Sequence, residues 1–329
     1  MILIVGTGAV GTILATYLVA AGRDVGLYAR PKDLARFGPV EHLRVDFPDR
    51  RPPLLAARPH LLESLDLDQV DQLLIGVKYP DLDALLTRLP DPIPAHCTLV
   101  STLNGVAPLR ALRHARPGAR IVPMSVMMNG QLQAPLHARL TTRAEIVLGS
   151  DDPVLLGVFR GVGMTVEAAQ GDEAVWGKLL INLANAICAA THTTFKDLFC
   201  DPDLRSIYVA TLDEATAALA ATRTPWKLPL IVPYPVYRSL LLHGGPLPWW
   251  FAKYRNGVRE GAYPSMVADV QAHRRTEVVQ LNGEVLRLSH TAGLPSPINA
   301  RLVELIEAGP GKTPLMPREL RALLGLSGS

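Results

Sequence analysis

After Met1 the chain reads ILIVGTGAVGTILATYLVAAG, Ile2 to Gly22. The four aliphatic residues Ile2 to Val5 predict a short buried strand, and the apolar run beyond Gly11 predicts a helix to about Ala21. Between them stands Gly6-Thr7-Gly8-Ala9-Val10-Gly11, a G-x-G-x-x-G turn in the strand-to-helix context that gives this motif its meaning. Gly6 permits the tight turn, Gly8 lets backbone approach a pyrophosphate, and Gly11 lets helix and strand pack closely. The first turn of such a helix offers unpaired N–H groups to an anion. The stretch therefore predicts a Rossmann-type, doubly wound α/β domain whose dinucleotide is held by Gly6, Thr7, Gly8, Ala9, Val10 and Gly11. It does not read as a signal peptide, because it lacks a basic start and is interrupted by glycines.

A second strand is predicted over Val25–Tyr28, ending at Ala29-Arg30-Pro31-Lys32. An NAD site commonly places an acid there for the ribose 2′-hydroxyl. This chain has a guanidinium, which suits a phosphate dianion, so Arg30, with Lys32, points to NADPH. Between Leu34 and Asp71 prolines dominate and one strand is expected. The apolar segments Gln72–Val77 and Thr98–Thr102 predict buried parallel strands, with helices near Asp81–Leu89 and Pro108–Arg113. Lys78 and Asn104 follow these strands directly, where an open α/β sheet binds its ligands. Strands over Arg120–Met127 and Ala138–Leu148 are expected to complete the sheet, with a short helix at Val154–Phe159.

From Asp172 onward the pattern is helical, which places a domain boundary near residue 170: a nucleotide domain over 1–169 and an all-α domain over 170–329. The run WGKLLINLANAI, Trp176 to Ile187, predicts one helix on which Lys178, Asn182 and Asn185 fall at i, i+4 and i+7, along one polar stripe. A further helix is expected over Leu204–Ala221. Thr224–Arg259, rich in proline and aromatics, resists assignment. A helix resumes in YPSMVADVQAHRRTEVVQLNGEVLRLSHTAG, carrying Ser265, Asp269, Arg275, Glu277 and Asn282, and is stopped by Gly293, Pro295 and Pro297.

A length of 329 residues exceeds what one core usually supports, in keeping with two domains. A net charge of +3 with no basic run longer than a pair argues against a nucleic-acid partner. Cys97, Cys188 and Cys200 lack metal-ligand spacing and are odd in number, so no metal site or disulfide framework is expected and a reducing cytoplasm fits. No membrane span is expected. Seven lysines stand against 26 arginines, so a lysine on an apolar helix is notable. Arginine cannot act as an acid near neutral pH, whereas a desolvated lysine can. His192, Cys188 and Trp249-Trp250 are given structural readings, and a place near the cofactor is left open for His137, which nothing in the sequence fixes.

The segments GTGAVG, GVK, LNG, WGKLLIN, YPSM and RTEVVQLNG, spread from Gly6 to about Asn299, stand in the order and rough spacing of one family. The chain resembles the ketopantoate reductases, NADPH-dependent enzymes of pantothenate synthesis. The resemblance implies hydride transfer to a small 2-keto acid, ketopantoate, giving pantoate, with Lys178 as general acid and Glu277 holding that lysine or a substrate hydroxyl. It further implies that Asn182 bonds a substrate hydroxyl and Ser265 the carboxylate, and that Lys78 and Asn104 close the site from the cofactor side. The site is expected in the cleft between the domains, and a homodimer through the helical domain is the expected assembly. The family's second asparagine, eight residues after the lysine, is Ala186 here, and the amide stands at Asn185. That keeps it about 20° from the lysine on the helix instead of about 80°. Two other readings stay open: the same chemistry on another small 2-keto acid, and a non-catalytic regulatory protein that binds NADPH.

Overall fold

Strand β1 (Ile2–Val5) is buried at every position, helix α1 (Ala9–Ala20) follows it, and β2 (Val25–Tyr28) returns parallel to β1 with Ile2 opposite Val25 and Val5 opposite Tyr28. The computed structural model describes residues 1–49, 51–230, 232–256, 260–309 and 313–326. These fall into two compact units, Met1–Val175 and Trp176–Ser329.

The first unit continues with α2 (Pro31–Phe37), β3 (His42–Asp46), β4 (Leu54–Ala57), β5 (His60–Leu62) and β6 (Gln72–Ile75). A 3₁₀ turn (Tyr79–Asp81), α3 (Leu82–Leu86), β7 (Thr98–Ser101), α4 (Ala107–Ala115) and β8 (Arg120–Val126) come next. It closes with β9 (Gly130–Ala134), β10 (His137–Leu140), β11 (Glu145–Leu148), α5 (Pro153–Phe159) and β12 (Thr165–Ala168). Eight strands form the main sheet in the order β12-β11-β8-β7-β6-β1-β2-β5, parallel throughout except where β11 meets β8. The chain winds from β1 outward through β2 to β5, then returns to β6 and winds the other way. The switch between β1 and β6 is where such sheets hold a nucleotide.

Strands β4, β3, β10 and β9 make a separate four-stranded sheet. Its inner residues Leu43, Val45, Ala56, Ala138 and Leu140 are buried in the same core cluster as Ile13, Leu14 and Leu18 of α1. That explains why α1 is apolar around its whole circumference: a sheet covers it on each side. This sheet departs from the expectation. Leu34–Asp71 contains three strands where one was expected, and Ala138–Leu148 is two strands in two sheets. The signal is hard to read because each strand of the small sheet is four or five residues long and β3 alternates exposed His42 and Arg44 with buried Leu43 and Val45. Such a short alternation barely exceeds chance.

The second unit is helical among the described residues. α6 (Glu173–Asn182) leads into it, followed by α7 (Ala184–Thr191), α8 (Phe195–Cys200), α9 (Pro202–Ala221), α10 (Tyr234–His243) and α11 (Leu247–Asn256). Then come α12 (Ser265–Gln271), α13 (Val278–Ala292), α14 (Pro297–Glu307) and α15 (Pro317–Leu323). The 20-residue α9 is the central post, packed by α8, α10, α13, α14 and α15. Glu173–Thr191 is apolar and long enough to cross a bilayer by composition, but 78% of its most apolar stretch is buried in the protein, as in a core helix.

Two expected helices are interrupted. Asn182 ends α6, and the N–H of Leu183 is shared between the carbonyls of Leu179 at 3.0 Å and Leu180 at 3.3 Å, a tightened turn before α7. The run expected after Tyr263 divides at His273, whose φ of 51° is left-handed. There the N–H of Arg274 donates to Asp269 O (2.8 Å) and that of His273 to Val270 O (3.0 Å), a Schellman closure of α12. Arg223 closes α9 in the same way, at φ 53°. The residue in the left-handed position is histidine or arginine in place of the usual glycine, so the stop is hidden in the sequence. Glu277 is consequently the residue before α13, not a mid-helix acid.

Candidate active site

The carboxyl ends of β1, β2 and β6 open into a cavity of about 650 Å³ lined by Gly6, Thr7, Gly8, Arg30, Gly76 and Lys78, among others. The glycines divide by role. Gly6 sits at φ 106°, and a Cβ there would lie 2.4 Å from the Gly76 carbonyl; a Cβ on Gly11 would lie 1.9 Å from Gly6 O. Both are required by backbone packing. A Cβ on Gly8 would meet nothing within 4 Å, so this glycine leaves open the ground over the start of α1. Gly8 is also the N-cap of α1 and supplies no side-chain cap, and Ala9 and Val10 form the first turn behind it. Orphan N–H groups facing an open cradle fit a pyrophosphate.

The charged lining of the cavity is Arg30, Arg36, Lys78 and Arg88 against Asp33 and Asp81. Arg30 donates from Nε to Asp33 Oδ2 (2.7 Å), a bond that strengthens its hold on its proton. Arg88 donates to the Tyr28 hydroxyl at 2.6 Å. Asp33, Arg36 and Arg88 were not singled out in the sequence. They come from α2 and from the turn after α3, where no motif marks them. The side chain of Lys32 lies outside the described residues. Asn104 follows β7, beside Gly105 at φ 79°, and does not line this cavity.

The second group of candidates belongs to the helical unit. Lys178 is partly buried on α6 among Val175, Trp176 and Leu179. Burial pushes its pKa down to about 8, while the Glu277 carboxylate pulls the other way. Two residues 99 positions apart, 277 − 178, are thus brought into electrostatic contact by the fold. Asn182 keeps partial exposure at the end of α6, and Ser265 is exposed as the first residue of α12. Asn185 is only 5% exposed, on the far side of the tightened turn. Leu183 keeps helical backbone angles, φ −59° and ψ −24°, so the stripe of Lys178, Asn182 and Asn185 runs on from α6 into α7 and its third member is the most deeply covered.

Gly177, immediately before the lysine, was not expected to matter. A Cβ there would lie 1.8 Å from the Lys227 carbonyl oxygen. The backbone of Lys227 and Leu228 crosses α6 at this point, Leu228 is buried, and Trp226 next to it meets Tyr234 edge-on at 6.2 Å. The proline-rich segment that resisted assignment is thereby laid against the helix that carries Lys178. An isolated glycine inside an apolar helix was the available signal.

Comparison with known proteins agrees with this architecture. Residues 2–153 match the family described as Ketopantoate reductase PanE/ApbA, and residues 172–309 match Ketopantoate reductase PanE/ApbA C terminal. A 2-dehydropantoate 2-reductase of Mycobacterium tuberculosis is 30% identical over 325 residues, covering 94% of this chain and 99% of that one. A solved PanE/ApbA family ketopantoate reductase of Ralstonia eutropha has a TM-score of 0.76 at 22% identity, covering 95% of this chain and 99% of its own. A ternary structure of D-mandelate dehydrogenase with NADH and anilino(oxo)acetate also reaches 0.76, at 18% identity over 94% and 98%. The fold and its motifs define a nicotinamide-dependent oxidoreductase of keto acids. The chain belongs to the ketopantoate reductase family.

Proposed function

We propose that the chain reduces 2-dehydropantoate to pantoate with NADPH, using Lys178 as the acid. The observation that carries this reading is the desolvated lysine facing Glu277: an ammonium with its pKa lowered to about 8 suits proton donation near neutral pH. The cofactor would rest on Gly6, Thr7 and Gly8 with α1 behind them, and Arg30 would read its 2′-phosphate. Lys78 and Asn104 would complete the cofactor side. When bound, the reduced nicotinamide supplies the hydride.

Lys178 donates a hydrogen bond from Nζ to the ketone oxygen, favours the negative charge that develops there, and gives up a proton to the resulting alkoxide. Its amine is then reprotonated from solvent. Glu277 keeps Lys178 charged and aimed during the approach. Asn182 offers its amide to the substrate hydroxyl and Ser265 its hydroxyl to the carboxylate. Asn185 adds a second amide to the substrate-facing stripe.

A second reading is favoured by the position of that amide. With Ala186 where the family's second asparagine is expected and the amide moved to Asn185, the substrate wall would differ, and another 2-keto acid would be the preferred one. Following NADPH absorbance with ketopantoate and a panel of 2-keto acids separates these readings. Ketopantoate should give the highest kcat/KM; a higher value with another acid would replace the substrate assignment. NADPH bound tightly but oxidised by none of them would leave only a regulatory, cofactor-binding role.

A further inference from the structure

Three charged residues stand in series along the nucleotide cavity: Arg30, Asp33 and Arg36. Asp33 Oδ2 accepts from Arg30 Nε at 2.7 Å, and Asp33 Oδ1 lies 3.9 Å from Arg36 Nη1. The acid is the covered member, its side chain 10% exposed, whereas the arginines on either side are 45% and 56% exposed. Arg30 uses only Nε for this contact, and among the described residues its two terminal nitrogens make no hydrogen bond. Two guanidiniums this close would repel each other, and the carboxylate between them offsets that repulsion.

Asp33 could be read differently, as an acid that accepts the ribose 2′-hydroxyl in the manner of NAD-specific sites. Two observations oppose that reading: the Asp33 side chain is mostly covered, and Oδ2 is engaged by Arg30 while Oδ1, the oxygen still open to a hydroxyl, lies beside the Arg36 guanidinium. Around this covered acid the lining is net cationic, with Lys78 and Arg88, the latter held on Tyr28, as further positive charges against Asp81. A dianionic oxygen cluster is the ligand that such a surface accepts, and a paired fork of guanidinium nitrogens binds phosphate more specifically than a lone cation does.

We propose that Arg30, Asp33 and Arg36 act as one phosphate-reading unit, in which both arginines receive the cofactor's 2′-phosphate and Asp33 is the positioning residue that aims them. This rests on the NADPH reading above and extends it in two respects. Arg36 becomes a second determinant of cofactor choice, and an acid in the cavity favours phosphate binding instead of opposing it.

The test uses the full-length chain and two nucleotide fragments, 2′,5′-ADP and 5′-AMP, with affinities measured by titration calorimetry. The parent protein should bind 2′,5′-ADP the more tightly; no such preference would overturn the NADPH reading and the unit with it. Given that preference, Arg36→Gln and Asp33→Asn should each weaken 2′,5′-ADP by about tenfold and change 5′-AMP by less than about twofold. Arg36→Lys should recover part of the loss. The 5′-AMP affinity also reports whether a variant has folded, and Arg36, being exposed, can be changed without disturbing the covered acid. If Arg30→Ala abolishes the preference while Arg36→Gln and Asp33→Asn retain it, the phosphate is read by Arg30 alone and the unit is refuted while NADPH stands. Tighter or equal binding of 2′,5′-ADP by Asp33→Asn would equally refute it, showing that the carboxylate only repels.

Discussion

Replacing Gly177 by alanine sets two effects of opposite sign against each other. Alanine is the better helix former by about 0.8–1.0 kcal/mol, so on propensity alone the change should stabilise α6. The new methyl, however, would start 1.8 Å from the Lys227 carbonyl oxygen and 2.6 Å from its carbon. Ordinary non-bonded contact is at roughly 3.5 Å, so helix and crossing segment must part by roughly 1.5 Å. Neither yields easily: Leu228 is 7% exposed and Leu179 and Leu180 are fully buried. A clash this deep falls in the upper half of the roughly 1–3 kcal/mol that overpacking costs, so after the propensity gain the net loss is about 1–2 kcal/mol. Thermal unfolding should show a midpoint lower by about 3–6 °C. Because the neighbouring residue is Lys178, kcat should fall as well, by up to about a hundredfold for a shift of about 1 Å. Gly8→Ala serves as control: its Cβ meets nothing, so stability should hold while cofactor affinity falls. A Gly177→Ala protein with unchanged melting and unchanged kcat would refute the reasoning, since the crossing would then be loose.

The remaining expectations concern proton transfer and helix ends. With Lys178 at about 8, the acid is charged below that pH and neutral above it, so kcat should be level in the acidic limb and decline as pH rises through about 8. Lys178→Ala should remove this limb together with most of kcat while leaving cofactor affinity nearly intact; a retained kcat would exclude the lysine as acid. Arg223→Gly relieves a left-handed residue at the end of α9 and should stabilise the protein by about 0.5–1 kcal/mol in urea unfolding. A loss of stability there would mean that the arginine side chain makes a contribution larger than the backbone strain.

What could be read from the amino acids alone follows the strength of the local physics. β1, α1 and β2 were legible because a glycine turn between an aliphatic strand and an apolar helix has few other solutions. β6 and β7 were legible as continuous apolar runs. The small sheet was not, since its strands alternate over four or five residues among prolines. The break between α12 and α13 was masked by His273, which occupies a backbone region usually marked by glycine, and the tightened turn between α6 and α7 rests on a single shared hydrogen bond at Leu183. In the nucleotide cavity, Arg30 could be found from its place after β2, whereas Asp33 and Arg36 become neighbours only once α2 forms. The approach of Glu277 to Lys178 joins residues far apart in the chain, and no local pattern reports it; the family resemblance alone suggested it.

The double covering of α1 has a consequence for energetics. Most helices that meet a ligand at one end rest on a single layer and can tilt or fray to accommodate it. Here Gly11 to Leu18 are enclosed by sheets on both sides. The N–H groups at the head of α1 are therefore fixed in direction before any nucleotide arrives, and little conformational entropy is left to lose at that end on association. Adaptation to different cofactors must then come from the side chains beyond β2, which can change without disturbing the anchor.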